Sequence, residues 1–197
     1  ASTMRVSAVV NPLDSAGSVR GIAVVGASKA PSYRVRRPDE TRDRSNSLML
    51  EIETDRDAYI TIVNVDPEGN VAILFPNAIS EQNRFYPDGL IPADGPIRIP
   101  DGLVYNQAGF NWDFVPPTGI DTIRVFAATD LATAERIRNQ VSQPGSRLVQ
   151  RGNGNVDART DLFGTTRLQS RGIQVTPSTS RPASDWTATT INLVIEE

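Results

Sequence analysis

Glu51, Glu53, Asp55 and Asp57 occupy alternate positions of the stretch EIETDRD. On a strand this spacing stacks four carboxylates along one face, where a calcium ion or an acid–base pair could be assembled. A solvated face is the commoner outcome of the same pattern. Asp66, Glu68 and Asn70 crowd into DPEGN and could likewise surround calcium. They lack the ligand order of an EF-hand loop, however, and turn chemistry accounts for the same residues. A third group is aromatic. Phe110, Trp112 and Phe114 alternate beside Asp113, with Tyr105 just upstream and Trp186 able to join them as a stacking platform for a sugar or a peptide. Aromatics on one strand face more often fill a core. Asn77, directly after Pro76, can fix the next loop through its amide or meet a ligand. The candidate ligand or partner surface is therefore Asn77, Tyr105, Trp112 and Asp113. Glu51 and Glu53 join Trp112 and Asp113 as the residues that a carboxylate-dependent hydrolase or a carbohydrate-binding module would use. No catalytic, cofactor-binding or metal-binding residue is assigned, and no cofactor is expected.

The residue types that are missing narrow the chemistry further. The chain has no Cys and no His. That excludes disulfides, thiolate metal sites, a cysteine nucleophile and the Ser-His-Asp arrangement. It also removes the commonest general base at neutral pH and the usual zinc ligands. Lys29 is the only lysine, in a polar stretch with nothing to activate it, and every other cation is Arg. Residues 1–45 hold eight cations against four carboxylates, while residues 46–128 hold four against twelve. An acidic middle between basic flanks argues against nucleic acid as a partner, because phosphate binding needs a basic surface. It also suggests that the flanks fold back onto the middle, with SYRVRR docking there or on an acidic partner.

The elements that position these residues read as short strands. Residues 4–10 (MRVSAVV) and 19–27 (VRGIAVVGA) fit two strands, and the Arg-rich stretch 28–46 fits an irregular connection. In residues 47–54 Leu48, Leu50 and Ile52 point opposite to Met49, Glu51 and Glu53. The stretch DAYITIVNVDPEGNVAILFPN then reads as a hairpin. Ala58, Ile60 and Ile62 alternate with Tyr59, Thr61, Val63 and Val65, and Val71, Ile73 and Phe75 alternate with Ala72 and Leu74. Apolar residues on both faces predict two central strands covered on both sides. Pro67 and Gly69 suit a type I turn followed by a left-handed residue, and Pro76-Asn77 ends the second strand. Residues 78–110 predict a long excursion with a short strand at 97–99, and DGLIPADGPIRIPDG within it is a surface loop that could bind an ion or a partner. Residues 110–117 read as an aromatic strand stopped by two prolines, and 119–129 as another strand. Asp130 caps a helix over 131–141 whose inner face carries Leu131, Ala134, Ile137, Arg138 and Val141. Residues 142–185 are polar, and 186–196 close the chain as a strand with Ile191, Leu193 and Ile195 inward.

This pattern predicts a mainly β fold, a two-sheet antiparallel β-sandwich with one short helix and a β-barrel as the alternative. A single domain over 1–197 is expected. It has a core at 47–128, a basic extension at 1–46, a helix plus polar insertion at 129–185 and a closing strand at 186–196. No run approaches the roughly 18 apolar residues of a membrane span.

Tyr59, Asn64, Asp66, Gly69, Leu74, Phe75, Pro76 and Asn77, followed by IRIP and DTIRVFAAT, resemble the core of an uncharacterised bacterial "domain of unknown function" family with an LFPN hairpin. The resemblance covers roughly 47–128. Members of that family are appended to caspase-like peptidases, protein kinases and envelope proteins. The resemblance implies a non-catalytic accessory or interaction domain of a larger bacterial protein, regulating or targeting an attached peptidase or kinase. Its partner would be another domain of the same polypeptide or a separate protein. It brings no established ligand or catalytic residue. A periplasmic or secreted setting is favoured slightly over a cytoplasmic one.

Overall fold

The computed structural model describes residues 4–11, 30–143 and 185–197. The strand expected at 19–27, Lys29 and almost all of the polar stretch 142–185 lie outside the described residues. In chain order the elements are β1 (Val6–Val10), β2 (Ser32–Arg34), β3 (Leu50–Thr54), β4 (Ala58–Val65) and β5 (Val71–Phe75). They continue through α1 (Ala78–Gln82), β6 (Leu90–Ile91), β7 (Ile97–Ile99), β8 (Gly119–Ala128), α2 (Leu131–Val141) and β9 (Trp186–Glu196). One sheet has the order β1-β3-β7 and the larger one β2-β9-β8-β4-β5, with β6 also paired to β4. All pairings are antiparallel except that of β2 with β9. The result is a two-sheet sandwich, and neither sheet closes into a barrel.

Two-sided burial of β4 follows from its sequence. Every residue of the strand is buried except Tyr59 and Asn64, which are half-buried. Ile60 and Ile62 face the other sheet, where they pack in one core with Leu50, Ile52, Ile99, Ile123, Val125 and Leu193. Val63 and Val65 face the other way and pack with Phe126, Ala134, Ile137 and Val141. The helix therefore forms a third layer. Asp130 caps α2 by accepting from the Thr133 amide at 2.8 Å, which satisfies one of the orphan donors of its first turn. Arg138, on the face of α2 turned to the sheet, donates to Thr61 Oγ1 at 2.9 Å, to the Ile60 carbonyl at 3.2 Å and to the Asp88 carbonyl at 2.7 Å. It ties helix, central strand and the turn at Pro87–Gly89 together.

The expected hairpin turn forms as its chemistry requires. Asp66 Oδ1 accepts from the Glu68 and Asn70 amides at 2.9 and 2.8 Å, and Gly69 takes φ 84°. Its second strand departs from expectation in two ways. β5 is the last strand of the larger sheet rather than a central one. Its register also steps by one residue, since Val63 faces Ile73 while Ile62 faces Phe75. The extra residue, Leu74, flips the alternation, so Phe75 joins the inter-sheet core while Val71 and Ile73 remain on the helix side. Magnitudes favour this arrangement. Burying a phenylalanine is worth roughly 1.5–3 kcal/mol. One interrupted ladder hydrogen bond costs about 0.5–1.5 kcal/mol.

Two further expectations are corrected. Residues 110–117 make no strand; Phe110 and Phe114 enter the core from an extended loop stapled to the flank by the Arg36 amide donating to the Phe114 carbonyl at 3.0 Å. Within 28–46, expected to be irregular throughout, the short strand β2 forms beside β9 and buries Tyr33 flat against Phe114, ring centroids 4.4 Å apart. Burial pushes the Tyr33 phenol up, and its oxygen accepts from Asn11 Nδ2 at 3.1 Å. The described part of the basic flank thus folds onto the acidic middle. The ring burial holds it more than charge does, because exposed ion pairs contribute about 0–1 kcal/mol.

Replacing Arg138 by Ala leaves the fully buried Thr61 hydroxyl without its donor. We expect a loss of about 1.5–3 kcal/mol in denaturant unfolding, against less than about 0.5 kcal/mol for the exposed neighbour Arg136→Ala.

Candidate interaction surface

The acidic row does not assemble. β3 ends at Thr54, so Asp55 and Asp57 leave the strand that would have stacked them. Glu51 pairs with Arg98 across β3 and β7 at 3.2 Å, and Glu53 is exposed opposite Ser7. Asp55 accepts from Arg56 Nε and from the Arg5 amide, both at 3.2 Å, and these contacts hold its carboxyl below the usual range. Asp57 accepts from the Ala93 amide at 2.9 Å. Among the described residues no three metal-ligating side chains converge.

The four surface candidates sit in different local environments. Asn77 begins α1. Its Oδ1 accepts from the Ile79 and Ser80 amides at 3.0 and 2.9 Å, while its Nδ2 donates to the Leu74 carbonyl at 2.9 Å. Ser80 Oγ accepts in return from the Asn77 amide at 2.9 Å, completing a capping box. Trp112 is half-buried with its ring tilted on Phe110, centroids 5.7 Å apart. Its indole nitrogen is buried without a hydrogen-bond partner. Asp113 accepts from Arg42 at 2.7 and 3.2 Å, with Arg36 at 3.7 Å. Trp186 cannot join this group, because it lies against Phe126 on the helix side of the larger sheet.

Tyr105 is different. Its side chain is 93% exposed, yet the loop beneath it is densely pinned. Asp101 accepts from the Gln107 and Ala108 amides at 3.0 and 2.9 Å. Asn106 Nδ2 donates to the carbonyls of Gly102 and Phe110 at 3.2 and 2.8 Å and to Asn111 Oδ1 at 3.0 Å. Its Oδ1 accepts from the Gly109 amide at 2.9 Å, and Asn111 Nδ2 donates to the Val104 carbonyl at 3.2 Å. Asn83 of the α1 C-cap donates to the Ala108 carbonyl at 3.0 Å, docking the loop on the helix. Gly109, at φ 78°, leaves no room for a Cβ beside that amide. The loop pins the backbone that carries an exposed aromatic side chain.

Two polar groups that the sequence reading gave no structural role are half-buried. Asn64 Nδ2 donates to Asp121 Oδ2 at 2.7 Å across β4 and β8, and Asp121 Oδ1 is buried without a donor. Burial raises the Asp121 carboxyl, opposed by the Asn64 hydrogen bond and reinforced by the charge of Asp66. The signal available was alternation, since both residues fall on inward positions of otherwise apolar strands. Arg138, by contrast, was legible as an inner-face residue but not as a hydrogen-bonding hub.

Residues 44–130 match the family model of a domain of unknown function (DUF4384). The match spans β3 to β8, and so includes the hairpin, the Asn77 cap and the Tyr105 loop, and leaves β1, β2, α2 and β9 outside. No curated protein and no solved structure matches the chain.

Two measurements check this geometry. Asn106→Ala should speed amide exchange at Gly109 and lower stability by about 1–2 kcal/mol, while Tyr105→Ala should leave stability within about 0.5 kcal/mol. Asp121→Asn should be more stable than the parent chain at neutral pH. With its folded-state acidity weakened, Asp121 releases its proton first in the unfolded chain as pH rises, so folding pays a penalty above the ordinary aspartate range and none below it. Unfolding titrations should therefore converge as pH falls below that range.

Proposed function

We propose that this chain is a non-catalytic accessory domain of a larger bacterial protein, one that regulates or targets a peptidase or kinase in the same polypeptide through a protein contact at the Tyr105 loop. The observation that carries the reading is a fully exposed aromatic ring on a loop fixed by its own hydrogen bonds, within the stretch that matches the family. A ring at a loop tip contributes nothing to the fold beneath it. A preordered loop, however, loses little conformational entropy when a partner arrives, and tyrosine is among the residues that dominate binding energy at interfaces.

The alternative, a carbohydrate-binding module or a carboxylate-dependent hydrolase, draws on Trp112 and Asp113. The ring of the first leans on Phe110 and the carboxylate of the second is held by Arg42 and Arg36. This arrangement gives the alternative less support.

The test compares the parent protein with and without this domain. Its peptidase or kinase rate, or its cellular position, should change on deletion. Unchanged rate and unchanged position together would reject the proposal.

A further inference from the structure

The exposed charges of residues 78–118 are mostly acidic. Glu81, Asp88, Asp94 and Asp101 are all exposed, against Arg84 alone among the exposed cations of residues 78–118. The two remaining charged side chains of that stretch are paired: Arg98 with Glu51 and Asp113 with Arg42. Arg138 approaches from beneath, but its guanidinium is occupied by Thr61 and two carbonyls. Asp94 and Asp101 lie close enough to Tyr86 for their charge to push its phenol up, after burial. Asp101 is also the residue that pins the throat of the Tyr105 loop. Asp101 thus belongs both to the Tyr105 loop and to the charged surroundings of Tyr86, which Asp94 shares.

We infer that this surface receives a basic segment of a protein partner, with an arginine or lysine side chain lying on the Tyr105 ring between flanking carboxylates. The inference rests on the interaction-domain reading and names the chemistry of its partner. Charge complementarity selects the occupant. A second copy of this face would set like charges against each other, and a nucleic acid would do the same with its phosphates. A cation on an aromatic face gains from the ring quadrupole, and neighbouring carboxylates orient it. The pinned loop means that the backbone carrying the ring need not be ordered on binding.

The test titrates an alternating arginine–glycine peptide of about ten residues, with a glutamate–glycine peptide of equal length as control, into the isotope-labelled 197-residue chain. Resonance changes should centre on Tyr86, Asp94 and residues 101–107 for the basic peptide only, and should fade as salt is raised to about 0.3 M. Tyr105→Ala should weaken binding about three- to fivefold while Tyr105→Phe, which keeps the ring face, stays close to the parent. Asp94→Asn should weaken it as well. Binding that ignores Tyr105→Ala, that maps to the Asp66–Asn70 turn, or that the acidic peptide reproduces would overturn the inference, as would no binding at low salt. If deletion alters the parent protein while the basic peptide fails to bind, this inference falls and the accessory reading stands. The reverse pattern rejects the accessory reading alone.

Discussion

A strand buried on both faces needs a layer on each side, and β4 imposes that requirement on the whole chain. Its isoleucines demand the small β1-β3-β7 sheet, and its valines demand α2. With both faces committed, only its edges remain for hydrogen bonding, and β8 takes one while β5 and β6 divide the other. Arg138 then spans all of this from the helix side, because the one polar position in the buried middle of β4, Thr61, requires a donor.

Asparagine side chains do much of the remaining work by standing in for backbone. Asn46 accepts from the Arg34 amide at 2.8 Å and donates to the Arg34 carbonyl at 2.9 Å, so one amide group occupies the outer side of β2 as a neighbouring strand would. Asn11 accepts from the Met49 amide at 2.7 Å and donates to the Ser47 carbonyl at 2.8 Å. Asn77 and Asn106 repeat the device at a helix start and inside a loop. The amide pairs a donor with an acceptor at nearly backbone spacing, which suits segments too irregular to pair with a strand.

Where local rules dominate, the sequence reads directly. The Asp130-capped helix, the Pro67–Gly69 turn, β8 and β9 follow from caps, turn residues and period-two alternation, and so does the two-sheet class. Outcomes that depend on long-range competition do not. Nothing near Leu74 signals the bulge, which exists because Phe75 gains more inside than an unbroken ladder would return. The stretch 110–117 has strand alternation yet pairs with no strand, and β2 forms only because β9, far away in sequence, offers an edge. Of the candidate surface, Tyr105 was nameable from the sequence as one aromatic among several. Its singular exposure was not, since that depends on Asn106 and Asp101 closing a loop.

The family match stops at residue 130, and β9 lies beyond it. In the folded chain β9 covers the whole outer side of β8, from Gly119 opposite Ile195 to Ala128 opposite Trp186. A fragment cut to the matched boundaries would carry that side of β8 bare, a long edge with neither proline nor lysine and only Asp121 and Arg124 to discourage pairing. It would also expose Phe126 and Ala128, which α2 helps to cover. Such a fragment would be prone to stack through its open edge.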